Sequence, residues 1–425
     1  MQPKSGIYSH PNVLLEEHIN NVLSIYRKLR NDLLPFWDGE TLTTLEVSIA
    51  LHDVGKATEY FQRKLRGEKL SPAEREYSKH SFLSAVYTFY VLHKRFFEDF
   101  RYPLLGLFLV GNHHAGVLKT FSELLTITDE KVQTLLAQLD SIDPERVNRF
   151  IENLDLPAGW KGKLLFQKED FEAFLRRELI DIFDNLSWDL EDYVENSLGY
   201  YIELLYLFSL IVDADKTEAG TKGVPPFIGK RVDIPPRVVE EYVSTLKGNS
   251  PIDELRKRAF EEVKAFEGDT KEHFYTLTLP TGYGKTLMGL LFALKLKGEI
   301  EKETRRGVRI IYSLPFLSII DQNAEVFERV LKPLGENIVV KHHHLALGEY
   351  LKQKGEDYEL TRLLVEAWNA PVVVTTFVQL FHTLLASTNS NARRFNKLSN
   401  SVVLVDEVQA LPPEYWYLFE STSKR

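Results

Sequence analysis

The sequence predicts two domains of different class, an all-α domain followed by a parallel α/β domain. Three features carry that reading. The first ~215 residues place apolar side chains at three- and four-residue spacing, the signature of amphipathic helices. Past Pro251, short apolar runs alternate with helical stretches, the rhythm of a parallel α/β sheet. Between them, "TEAGTKGVPPFIGKRVDIPP" is rich in glycine and proline and reads as a linker. The expected division is residues 1–235 and residues 250–425, with 217–250 as the linker region.

In the first domain, helices are expected at "VLLEEHINNVLSIYRKLR", "HSFLSAVYTFYVLHKRFF" and "FEAFLRRELIDIFDNL", where Gly and Pro are scarce and strand-like alternation is absent. In the second, a helix "IDELRKRAFEEVKAF" leads to an expected strand "FYTLTLP", a glycine turn and a long helix "TLMGLLFALKLKGEI". The runs "GVRIIYSL", "APVVVTTF" and "SVVLVDE" then read as strands. No internal repeat is present.

Composition narrows the function. With no cysteine, the chain has no disulfide, thiolate metal site or cysteine nucleophile, so any metal sits on His, Asp or Glu. The beginning "MQPKSGIYSHPN" lacks an apolar signal segment. The most apolar runs, such as "YPLLGLFLVG", fall short of the ~20 residues that span a bilayer. A soluble cytoplasmic protein without membrane partners is therefore expected. A net charge of −9 argues against a protein that coats duplex nucleic acid. It leaves room for a local basic groove, to which "NARRFNK" (391–397) contributes unless it is simply a solvated charged face.

The strongest single motif is "TLPTGYGKT" (278–286). Thr281, Gly282 and Gly284 lie in a turn whose backbone amides can cradle phosphate oxygens. Lys285 reaches the β- and γ-phosphates, and the Thr286 hydroxyl joins the magnesium shell of a bound ATP. Leu279 stands where the general pattern has its first glycine, which makes this the helicase style of the loop. Downstream, "VVLVDEVQ" ends an apolar strand on Asp406 and Glu407, one carboxylate for magnesium and one to orient attacking water.

A second constellation lies in the helical half: His18, the adjacent His52 and Asp53, His80, the pair His113 and His114, and Asp213 and Asp215 in "VDADK". Imidazole plus carboxylate suits manganese, iron, cobalt, nickel or zinc, and magnesium with carboxylate help. Each residue alone has a simpler reading as a polar-face, loop or helix-end side chain. His52–Asp53 within an apolar stretch is the exception, because a buried aspartate needs a partner. His342, His343 and His344 have no carboxylate nearby in sequence and are read as ordinary.

Taken together, "EEHI", "LHDVGKA", "KHS", "GNHH" and "DADK", followed by "LPTGYGKT" and "DEVQ", resemble an HD-superfamily metal-dependent phosphohydrolase domain joined to the first RecA-like lobe of a superfamily 2 helicase. In that order the chain is similar to the CRISPR-associated helicase-nucleases of type I systems, which degrade DNA marked by the Cascade surveillance complex. The resemblance implies a one- or two-metal nuclease site (Mn, Ni, Co, Fe or Mg) on His52, Asp53, His80, His113 and His114, with His18 in reach. It favours Asp215 as a further ligand, with Asp213 the alternative, since positions two apart on a helix do not face one point. Lys56, four residues after His52, would hold the scissile phosphate or stabilise leaving-group charge. Metal ions at such a site activate water and clamp the phosphodiester. Single-stranded DNA is the implied substrate.

Two departures stand out. No glutamine lies in "ELRKRAFEEV", where relatives often carry one that reads adenine. The second helicase lobe is not in these 425 residues, so it is expected in cis or in trans. Competing readings are an HD-type nucleotide or cyclic-nucleotide phosphohydrolase with a regulatory P-loop domain, and a nucleotide-switched scaffold with a structural metal. The helicase-like "SLPFLSIIDQ" and "VVVTTF" argue against the first. The surplus of ligands over a closed four-coordinate site argues against the second.

Overall fold

The computed structural model describes residues 4–30, 37–195, 197–225, 232–246, 248, 250–335, 338–342, 365–411, 413 and 415–416. They fall into two compact units. The first takes the chain up to Pro225 and also Ser387–Arg393; the second takes Pro226–Ala386 and the chain from Arg394 onward. A single cut at the linker does not describe this division, because Ser387–Arg393 returns to the first unit.

The first unit is helical. Helix α1 (Leu15–Arg30) buries Leu15, Ile19, Val22, Leu23 and Tyr26, an i, i+4, i+7 stripe with His18 set into the same face. Helix α2 (Gly39–Leu51) begins at Asp38, whose carboxylate accepts from the Thr41 amide at 2.6 Å, and its second half is almost entirely buried. Helices α3 (Ser81–Arg95) and α4 (Arg101–Asn112) pack on each other, and α5 (Leu198–Thr221) packs along α1. From Leu204 to Val212 helix α5 is apolar apart from Ser209 and largely buried, as an enclosed stretch of helix must be. One departure from an all-α domain is a short antiparallel ribbon of β1 (Tyr8–His10) and β2 (Val13–Leu14).

The second unit is built on a four-stranded parallel sheet in the order β4-β5-β3-β6, with β3 Arg309–Leu314, β4 Val339–His342, β5 Val372–Thr376 and β6 Ser401–Val405. Both faces of its centre are covered, as parallel strands require. Ile310, Tyr312 and Leu314 join Leu290, Leu294 and Phe327 of one core, while Ile311 turns to Trp368, Val373 and Leu380 of another. The accompanying helices include α6 (Pro251–Ala265), α7 (Lys285–Thr304), α8 (Leu317–Leu331) and α9 (Phe377–Leu384). The carboxyl ends of β3, β5 and β6 lie side by side, the edge where α/β sheets bind ligands. Among the described residues no helix is long and apolar enough to cross a membrane.

Two expectations fail here. The run "FYTLTLP" has no regular secondary structure and joins no ladder, and Phe274 and Leu277 are about half exposed. Its β-branched and aromatic residues favour a strand only where a neighbour supplies ladder bonds and cover, and no described strand does so. The basic run "NARRFNK" is neither a groove nor a solvated face: Arg393, Arg394 and Lys397 are each at most 4% exposed. Arg394 lies over the Trp368 ring and donates to Thr383 Oγ1 at 3.1 Å. His342 is buried beside it, Nε2 3.1 Å from the arginine; His343 and His344 lie outside the described residues.

Hydrogen exchange followed by mass spectrometry should separate these segments: peptides over β3 and β5 should resist exchange, and 274–280 should exchange rapidly, since solvent-exposed unpaired amides open at little cost. Strong protection across 274–280 would show that it is a paired strand.

Candidate metal centre and nucleotide site

In the first unit, five helices bring their polar residues to one point. His52 and His113 occupy the C-caps of α2 and α4. Each turns its ring back so that Nδ1–H donates to a carbonyl three residues earlier, Ile49 O at 2.8 Å and Val110 O at 2.6 Å. That bond fixes the tautomer and leaves each Nε2 lone pair facing the centre. Two helix C-termini also contribute negative partial charge, a setting that favours a cation. His18 enters from α1, with Nδ1 2.5 Å from Glu218 Oε2. His80 enters from the N-cap of α3, and Asp53 opens the 3₁₀ turn Val54–Ala57.

Gly55 makes this turn possible. A β-carbon there would sit 2.5 Å from the His80 carbonyl oxygen, and the Gly55 amide donates to Ser84 Oγ at 2.9 Å. Backbone against backbone at that distance excludes any side chain.

The imidazole Nε2 atoms face carboxylates. His18 Nε2 lies 3.4 Å from Asp53 Oδ2 and 3.3 Å from Asp215 Oδ1, and His52 Nε2 lies 3.6 and 3.5 Å from the same two atoms. On the other side, Asp53 Oδ1 is 3.0 Å from His80 Nε2, 3.4 Å from His113 Nε2 and 4.0 Å from His114 Nε2. The Nε2 atoms of His18, His52, His80 and His113 are buried and make no hydrogen bond. An acceptor facing an acceptor inside a protein is costly unless a proton or a metal ion lies between them. Two donor sets satisfy metal spacing, each with its ligand atoms within 4.8 Å of one another: His18, His52, Asp53 and Asp215, and Asp53, His80, His113 and His114. Asp53 belongs to both, one oxygen toward each. The N/O donors fit a divalent first-row ion or, less well, magnesium.

The electrostatics agree with a cation site. Burial opposes the charged form of Asp53, but Lys56, with Nζ at 2.6 Å, and His52 hold its carboxyl well below the usual range. Burial likewise opposes the charge on Asp215, and His18 and His52 outweigh it. At His18 burial is outweighed by Asp215, Asp53 and Glu218, which hold the ring well above 6.5. Burial lowers His80 to about 4 and His114 to about 2. Three buried carboxylates, Asp53, Asp215 and Glu218, against the Lys56 ammonium and the His18 imidazolium still leave negative charge to be matched.

Asp213 lies away from the donor sets, bonded instead to Arg393 and Thr217. Lys56 is only 4% exposed and committed to Asp53. His114 is the outermost member of the donor sets, its side chain 44% exposed. Sequence reasoning passed over Glu218, five residues past Asp213 on the same helix, and His10, whose ring meets His18 edge-on at 5.3 Å. A carboxylate at helical spacing from "DAD" was the available signal for Glu218; "YSHPN" offered none for His10.

In the second unit, Gly282 and Gly284 take φ of +87° and +82°, which a side chain would resist, and Gly284 caps α7 so that Lys285 and Thr286 open the helix. Thr281 stands exposed at the start of the turn. Lys285 Nζ reaches Glu407 Oε1 at 3.1 Å, and Thr286 Oγ1 donates to Asn323 Oδ1 at 2.9 Å. Tyr312 donates to Asp406 Oδ2 at 2.6 Å, and the Glu407 amide donates to Asp406 Oδ1 at 2.9 Å. Lys285 holds the Glu407 carboxyl below its usual range. Arg256 of α6 donates to the Gly282 carbonyl at 2.7 Å, which ties the helix before the loop to the loop itself. Asn323, Tyr312 and Arg256 were not singled out in the sequence.

Residues 255–415 match the DEAD/DEAH box helicase family. Over 413 residues the chain is 30% identical to the CRISPR-associated nuclease/helicase Cas3 of Haloferax volcanii, an alignment that spans 87% of this chain and 42% of that protein. This chain is a Cas3 homologue. The crystal structures of T. fusca Cas3 with AMPPNP and with ADP share its fold, with TM-scores of 0.53 and 0.54 at 17% and 18% identity. Each comparison spans 96% of this chain, and 46% and 47% of the T. fusca Cas3 chains. The chain thus covers less than half the length of the Cas3 proteins it matches.

Gly55→Ala tests the first site. Forcing the His80 backbone away should destabilise the protein by about 1–3 kcal/mol, the usual cost of overpacking. It should also shrink the rise in melting temperature that Mn²⁺ produces. An unchanged Mn²⁺-dependent rise would show that His80 is not a ligand.

Proposed function

We propose that this chain is a metal-dependent nuclease that cuts single-stranded DNA, joined to the ATP-binding first lobe of a superfamily 2 helicase. The observation that carries this is Asp53, one carboxylate shared between two four-residue donor sets inside a helical unit. In this reading residues 1–235 form an HD-superfamily domain, to which Ser387–Arg393 is added. Divalent ions held by these residues would supply Lewis acidity toward the phosphodiester and toward its attacking water.

The protein groups then have distinct tasks. Asp53 and Asp215 supply the negative charge that retains the ions. Ile49 O, Val110 O and Glu218 hold His52, His113 and His18 with Nε2 inward, as outer partners of metal-bound histidines do. Lys56 keeps Asp53 ionised rather than reaching the substrate, because its ammonium is already bonded there. His114, partly exposed, stands where a substrate would approach.

In the second unit, Thr281, Gly282, Gly284, Lys285 and Thr286 bind ATP and magnesium with Asp406, and Glu407 orients water. The Lys285–Glu407 pair holds both charges in place before nucleotide arrives, and phosphate binding would draw Lys285 off Glu407. The biological setting we infer is type I CRISPR antiviral defence in the cytoplasm, with the Cascade RNA-guided complex presenting the DNA and a second helicase lobe completing the motor. The similarity to the CRISPR-associated nuclease/helicase Cas3 of Haloferax volcanii supports this setting.

Two variants separate the activities. Asp53→Ala should abolish cleavage of labelled single-stranded DNA in a panel of Mn²⁺, Ni²⁺, Co²⁺ and Mg²⁺ while leaving ATP binding intact. Lys285→Ala should do the reverse, weakening ATP binding and sparing ATP-independent cutting. Full cleavage by Asp53→Ala would overturn the nuclease assignment.

A further inference from the structure

The segment Ser387–Arg393 lies in sequence between α9 and β6, inside the stretch matched to DEAD/DEAH box helicases, yet it belongs to the first unit. It is held there by specific bonds. The Leu118 amide donates to Ser387 O at 2.9 Å, and Val117 and Thr388 form an antiparallel bridge. Thr388 then caps a short helix, α10 (Asn389–Ala392), by accepting from the Asn391 amide.

Two buried side chains of this segment reach the polypeptide that carries the metal-centre residues. Asn389 Nδ2 donates to the carbonyls of His113 at 2.5 Å and Asn112 at 3.2 Å. These are carbonyls of the last turn of α4, where a helix has no partner of its own to offer. His113 is therefore fixed twice, through its ring by Val110 O and through its own carbonyl by Asn389. Arg393 donates through Nε to Asp213 Oδ1 and through a terminal nitrogen to Thr217 Oγ1, both at 2.9 Å. Asp213 and Thr217 are four apart on α5 and bracket Asp215, and Glu218 follows directly. A planar guanidinium that bonds both sets the rotation of the turn that presents Asp215 and Glu218. Apolar side chains of similar volume would fill the same space without the cost of burying an ion pair, so the pair points to orientation rather than to stability.

We propose that Asn389 and Arg393 are positioning residues for the metal centre: sequence belonging to the helicase match sets the orientation of His113 and Asp215. The proposal rests on reading the Asp53 cluster as a nuclease metal centre.

The test uses the full 425-residue chain. Mn²⁺ affinity is measured by titration calorimetry, and kcat and KM are measured on labelled single-stranded DNA, for Asn389→Ala, Arg393→Ala and Arg393→Lys. Asn389→Ala and Arg393→Ala should each weaken Mn²⁺ binding and lower kcat by about 10–100-fold, the scale typical of outer partners of metal ligands. KM for DNA should stay within about twofold, because neither residue touches substrate. Arg393→Lys keeps the charge opposite Asp213 but loses the fork, so it should fall between wild type and Arg393→Ala. Wild-type Mn²⁺ affinity and kcat in both Asn389→Ala and Arg393→Lys would overturn the proposal. If Arg393→Ala fails to fold, Asn389→Ala, a neutral and smaller change, decides alone. If the wild-type chain binds Mn²⁺ but cuts no DNA, the nuclease reading fails, and the Mn²⁺ affinity of Asn389→Ala still decides the positioning role. A wild-type chain that binds no Mn²⁺ overturns both.

Discussion

The Asp53 carboxylate has to serve two clusters of imidazoles from inside the protein, and the arrangement of the helical unit follows from that demand. A charge buried among apolar helices persists only when matched. Lys56 matches part of it, and Asp53, Asp215 and four inward-facing Nε2 atoms converge, with the Asp53 oxygens and all four nitrogens left without a hydrogen bond. Helices α1 to α5 each bring at least one polar residue to this point, α2 and α4 from their C-caps and α3 from its N-cap. Gly55 lets the turn after Asp53 press against the His80 backbone, and the last carbonyls of α2 and α4 select which ring nitrogen faces inward.

The nucleotide loop obeys a related constraint with different materials. Here the charges sit at a surface edge of the sheet and neutralise one another in a pair, Lys285 with Glu407. Glu407 holds φ +54° and ψ +44°, a conformation that costs a side-chain-bearing residue free energy and persists where its surroundings dictate it. Asp406, bonded to the Glu407 amide and to Tyr312, supplies those surroundings.

Much of this was legible in the sequence because it depends on residue type at short spacing. Helical periodicity, strand–helix alternation, the glycine loop and the clustered His and Asp residues are all local signals, and the fold keeps the two classes of domain that they imply. What the sequence hid were pairings across long separations. Glu218 contacts His18 from 200 positions away, and Arg393 meets Asp213 at 180. Nothing near either residue announces its partner. The basic run 391–397 was misjudged for the same reason: exposed and buried arginines have the same local pattern, and only the tertiary partner separates them. The expected strand 274–280 failed in the opposite sense, with good local propensity and no described neighbour to pair with.

That Ser387–Arg393 completes the first unit has a consequence for how the protein is made. On a ribosome the N-terminal part emerges first and folds as a unit where it can, at roughly 5–20 residues per second. All residues of the two donor sets have been synthesised by Asp215, but the arginine that bonds Asp213 follows only after about 180 more residues, a delay of roughly 9 to 36 seconds at that pace. During that interval the last turn of α4 and the middle of α5 await partners not yet made. The helical unit therefore matures late, after most of the sheet domain has been synthesised, and not as an independent N-terminal module.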